Sequence, residues 1–72
     1  MSAIEAVRTA HSMMKRYESE SVEDFAERLY QRQEEIYSAL PGWNFFRGRQ
    51  FHGLSAITRD SWIKAAANHV PT

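Results

Sequence analysis

The stretch from Ser21 to Pro41 constrains the fold more than any other part of the chain. Ser21 is a helix N-cap residue, its hydroxyl able to accept from a backbone N–H of the first turn. Glu23 and Asp24 follow where their charge complements the positive end of a helix. Val22, Phe25, Leu29, Ile36 and Leu40 then form one apolar face, flanked by Ala26, Tyr30 and Tyr37. Pro41 disfavours the α conformation in the residue before it and Gly42 follows as a turn residue, so the helix stops at or near Leu40. Arg32 falls on the apolar stripe. Either its stem lies along the stripe and its guanidinium reaches water, or that face meets a polar partner.

An amphipathic helix must be covered, and the sequence offers two more. The first opens at Ser2, which with Glu5 makes an S-x-x-E capping box. Ile4, Val7, His11 and Met14 recur at helical spacing, with Ala3, Ala6 and Ala10 beside them. This stripe fades at Tyr17, and the polar run Glu18-Ser19-Glu20-Ser21 predicts a short connection between antiparallel helices. The last segment begins after Gly53-Leu54, with Ser55 or Thr58 as N-cap. It runs through Trp62, Ile63, Ala65, Ala66 and Ala67 to His69 or Val70, where Pro71 ends it. Trp62 is its anchor, and three consecutive alanines, lacking bulk, allow close helix approach. The expected fold is all-α: a single three-helix domain over residues 1–72, the first two helices forming an antiparallel hairpin that the third closes.

Between the second and third helices lies an aromatic-rich loop that fits no helical stripe. Trp43, Phe45, Phe46 and Phe51 are four of the nine aromatic residues. Trp43 and Phe45 alternate, and Arg47-Gly48 could turn a short hairpin back through Phe51, although a two-stranded ribbon is marginal alone. An irregular loop whose aromatics plug the open end of the helical hairpin fits as well. With Arg47 and Arg49, these rings suit phosphates and stacked bases. They equally resemble a protein-binding hot spot, where Trp, Tyr and Arg dominate. The plainer reading makes the aromatics core and the arginines its solvated rim. Trp43, Phe45, Phe46, Arg47, Arg49 and Phe51 are therefore the candidate partner-binding residues.

Size and charge narrow the function further. A chain of 72 residues buries only about 60% of the surface its unfolded form exposes, enough for one core. Without cysteine it has no disulfide or thiolate site, so stability comes from helix packing or from association, which keeps a homodimer among the readings. The formal net charge is zero but divided. Residues 1–17 carry Arg8, Lys15 and Arg16 against Glu5; residues 18–41 carry seven acids against Arg28 and Arg32; residues 42–72 carry Arg47, Arg49, Arg59 and Lys64 against Asp60. An acidic helix packed between basic segments is one explanation, and a surface facing a charged partner is the other. The balance of charge argues against a general polyanion binder, which leaves nucleic acid as the lesser alternative.

Catalytic chemistry finds little support. His11, His52 and His69 are spread over three segments in no ligand spacing, so no metal is expected. No G-x-S-x-G, Walker A or G-x-G-x-x-G occurs, so no cofactor is expected either. The paired carboxylates Glu23/Glu27 and Glu34/Glu35 read as a solvated face. A nucleophile, base and orienter need a scaffold that so short a chain hardly has left, and the chain is read as no enzyme. The N-terminus lacks the cationic and apolar regions of a signal peptide, and no apolar run approaches the roughly 20 residues of a membrane helix. The expected location is the cytoplasm, with no membrane partner.

From Leu54 the chain reads Leu-Ser-x-x-x-Arg-x-x-Trp-Ile-x-Ala-Ala through Arg59, Trp62, Ile63, Ala65 and Ala66. This segment, under a fifth of the chain, resembles the tail of small accessory proteins of tailed phages and prophages. The resemblance implies a protein that binds a host enzyme, defence complex or regulator and alters its behaviour, and it assigns no residue a role. The functional expectation is a small non-catalytic protein that inhibits or modulates a host protein complex by stoichiometric binding. The rivals are a nucleic-acid binder using Arg47 and Arg49, and a self-associating structural protein.

Overall fold

A computed structural model describes residues 2–40 and 50–71. Three helices make the fold: α1 (Ala3–Ser12), α2 (Val22–Ser38) and α3 (Ala56–Ala67), with a single 3₁₀ turn at Phe51–Gly53 before the last. No strand occurs among the described residues, and the architecture is all-α, with α1 and α2 as a helical hairpin and α3 closing it. Both α1 and α3 pack on α2.

Each helix starts at a serine whose hydroxyl accepts a backbone N–H of the first turn. The Glu5 N–H donates to Ser2 Oγ at 3.2 Å, the Asp24 N–H to Ser21 Oγ at 3.0 Å, and the Thr58 N–H to Ser55 Oγ at 3.3 Å. Each cap satisfies one donor that the helix geometry orphans. Ser55 rather than Thr58 therefore caps α3; the Ser55 hydroxyl also donates to Thr58 Oγ1 at 2.9 Å.

The helices end earlier than their apolar stripes suggest. α1 stops at Ser12, so Met14 lies beyond the helix it was expected to extend, although it still packs against the core. The chain leaves α1 through a 3₁₀-type turn, the Met13 and Met14 N–H groups donating to Ala10 O at 3.3 Å and His11 O at 3.1 Å. Ser12 Oγ donates back to Thr9 O at 2.8 Å, while Met14 O and Lys15 O accept from His69 Nε2 at 2.9 Å and from Arg28 Nη2 at 2.7 Å. α3 likewise ends at Ala67, short of Pro71, because Asn68 caps it and His69 reaches across to Met14.

The core is one cluster formed by Phe25, Ala26, Leu29 and Tyr30 of α2, Phe51, Leu54, and Ala66 of α3. Met14, Val22, Trp62 and Ile63 pack partly against it. Of the three consecutive alanines only Ala66 is buried; Ala65 and Ala67 face outward. Tyr30 meets Trp62 edge to face at 5.6 Å between ring centroids and tilts against Phe51 at 5.9 Å, joining all three elements through aromatic rings. Arg32 leaves the stripe as its amphipathic stem allows: its guanidinium sits outside, paired with Glu35 at 2.9 Å.

Two histidines and one arginine tie the helices together. His11 Nε2 donates to Leu29 O at 2.8 Å and its ring meets Trp62 edge-on at 6.0 Å, so a single side chain links α1, α2 and α3. Arg28 donates through Nε and Nη2 to both oxygens of Glu20, at 2.6 and 2.7 Å, and its guanidinium lies 4.4 Å from the Tyr17 ring centre. These contacts fold the 13–21 connection down onto α2.

Candidate functional site

Of the residues expected to meet a partner, Trp43, Phe45, Phe46, Arg47 and Arg49 lie outside the described residues. Phe51 is described and is core: it is 2% exposed, at the start of the 3₁₀ turn against Tyr30. Its ring holds α2 and the turn together.

Above that ring lies a cleft of roughly 410 Å³ between α2 and the turn. The buried faces of Tyr30 and Phe51 form its floor, and Glu27, Gln31, Glu34 and His52 stand among its walls. Helical geometry places them: Glu27, Gln31 and Glu34 are four and three residues apart, hence on one face over two turns, with Tyr30 between them. The turn carries Gln50 and His52 to the opposite wall. His52 Nε2 lies 3.3 Å from Glu27 Oε2, a contact that becomes an ion pair when the ring is protonated.

Few ion pairs join the acidic helix to the basic segments among the described residues. Among the described residues three charge pairs form: Arg28–Glu20, Arg32–Glu35 and His52–Glu27. The first two use arginines of α2 itself, and Arg8, Lys15, Arg16, Arg59 and Lys64 enter none of them. Glu23, Asp24 and Glu34 therefore stand on α2 without an ion-pair partner among the described residues.

Aromatic floor and anionic wall together suit a cation on an apolar stem. A lysine or arginine side chain entering the cleft can bring its charge to Glu27 and Glu34. The cleft is poorly equipped for nucleophilic chemistry. His52 and Glu27 form a histidine–carboxylate pair, yet the lining includes no serine, threonine or lysine for that pair to activate. Among the described residues no group of three or more histidine, aspartate or glutamate side chains could hold a metal ion.

No protein-family model, curated protein or solved structure matches this chain.

Two sites elsewhere, the Glu20–Arg28 pair and His11, carry shifted pKa values. Hydrogen bonds from Arg28 hold the Glu20 carboxyl below its ordinary range, and the same contacts raise the arginine. Burial pushes His11 down; its bond to Leu29 O opposes that, and the nearby His69 and Arg32 add to it. Neither group lines the cleft, and both serve the packing of α1 and the connection on α2.

Sequence reasoning noted Glu23/Glu27 and Glu34/Glu35 but passed over Glu27 and Glu34 as a pair, and assigned Tyr30 only to packing. The spacing 27, 30, 31, 34 was the available signal, a helical face on which two acids flank an aromatic ring. His52 could not be placed there, because its approach to Glu27 depends on how the 3₁₀ turn docks. No helix of the described residues is long and apolar enough to cross a membrane.

Proposed function

We propose that this chain is a non-catalytic binding protein whose α2 acidic face docks on a basic surface of a protein partner. One observation carries the reading: Glu23, Asp24 and Glu34 have no counter-charge among the described residues, beside a cleft floored by aromatic rings. Such a surface favours a partner that brings lysine and arginine side chains. Residues 43–49, which follow α2 in sequence, supply Trp43, Phe45, Phe46, Arg47 and Arg49 as further contacts. The resemblance of the C-terminal segment to phage and prophage accessory proteins fits such a role, in which a small cytoplasmic protein occludes a host complex by stoichiometric binding.

The test is affinity capture from bacterial lysate with the intact chain and with Glu27→Lys/Glu34→Lys, each run with and without nuclease. The expected result is one protein captured at near-equal stoichiometry, insensitive to nuclease, and lost with the double variant while helix content by circular dichroism is unchanged. Capture that disappears with nuclease would assign the activity to nucleic acid. Capture that the double variant leaves intact would move the interface away from α2.

A further inference from the structure

Most of α3's packing side chains, Trp62, Ile63 and Ala66, turn toward α2, yet the helix is not polar on its other side. Ile57 is 82% exposed, and Ser61 and Ala65, at successive four-residue steps from it, are exposed too. The three make a ridge along the helix. A groove lies along each side of it, one lined by Ile57, Thr58, Trp62 and Ala65, the other by Ile57, Asp60 and Lys64. Asp60 and Lys64 make no ion pair among the described residues.

This face is complementary to itself. Rotate a second copy by a half-turn about an axis perpendicular to the helix near Ser61, and the two α3 helices run antiparallel. Ile57 of each copy then faces Ala65 of the other, a large side chain over a small one, with Ser61 at the axis. The same rotation sets Asp60 of each copy against Lys64 of the other. The size pairing is centred on residue 61 and the charge pairing on residue 62, about 1.5 Å apart along a helix. Two unrelated properties, bulk and charge, thus mark nearly one axis. A two-fold interface requires this of a single patch, whereas contact with a different protein does not.

We infer that two copies of the chain associate through α3, antiparallel about this axis, Ile57 of each copy packed over Ala65 of the other. Small residues at the crossing allow an interaxial distance near the lower end of the roughly 8–10 Å range. A helix of 12 residues is about 18 Å long, so the contact falls short of the roughly 800 Å² per partner of a standard stable interface. The dimer is therefore weak and concentration-dependent. It shares no lining residue with the acidic cleft, so each copy keeps that cleft available.

Sedimentation equilibrium on the intact chain tests this. The expected result is a monomer–dimer equilibrium with Kd of about 10–500 µM, in the range of small transient interfaces. Ala65→Glu on the exposed ridge and Asp60→Lys on its flank should each weaken association by about tenfold or more, the second because like charges then face each other. Asp60→Lys/Lys64→Asp should recover it, with helix content constant throughout. A chain still monomeric at about 1 mM would overturn the inference. So would a dimer that Ala65→Glu leaves intact, or a double reversal that stays as weak as Asp60→Lys.

Discussion

His11 shows how much one side chain can decide. Its Nε2–H is committed to Leu29 O and its ring to Trp62, in a half-buried site that also faces His69 and Arg32. Burial lowers its pKa below the ordinary 6.5, so the unfolded chain takes up its proton first as pH falls. Stability is therefore lost as pH drops from about 6.5 toward the folded-state value, and little changes above it. The Glu20 carboxyl, held down by Arg28, acts in the same sense at lower pH, below its ordinary 4.5. Thermal unfolding should accordingly show a lower midpoint at pH 5.5 than at pH 7.5. His11→Gln, which keeps an N–H donor without titrating, should shrink that difference; an unchanged difference would place the acid sensitivity elsewhere.

The helices divide into what neighbours in sequence decide and what distant residues decide. Their starts are local. Ser2, Ser21 and Ser55 each accept from the residue three positions on, and that spacing is visible in the bare sequence. Ser21→Ala removes the cap of the central helix and should cost about 1 kcal/mol, lowering the unfolding midpoint by roughly 4–8 °C. Their ends are not local. The chain just past α1 is held by distant donors, Met14 O by His69, 55 residues away, and Lys15 O by Arg28, 13 away. Hydrophobic periodicity carries no information about such donors, which is why the stripe through Met14 overran the helix. The site divides similarly. That α2 is acidic was legible; that Glu23, Asp24 and Glu34 form no ion pair among the described residues depends on where Arg8, Lys15, Arg16, Arg59 and Lys64 come to lie.

A chain of this length has little stability to lose, about 4–11 kcal/mol at typical values per residue. Phe51→Ala would empty a fully packed position, which removes about 3–5 kcal/mol. The variant should unfold non-cooperatively or with a midpoint lower by at least about 12 °C. An unchanged midpoint would return Phe51 to the surface role its neighbours suggested. Its burial was illegible for the same reason as the helix ends, since an aromatic ring in a glycine-flanked loop packs according to what the rest of the chain places above it. The core itself is shared unevenly: its cluster is built by α2, the 3₁₀ turn, Leu54 and α3, while the buried Val7 of α1 stands outside that cluster. Native-state fluctuations follow from this division. α1 can detach and re-dock while the aromatic cluster stays closed, so its amide protons exchange with solvent through a local opening, and those at the centre of α2 wait for the whole molecule to unfold.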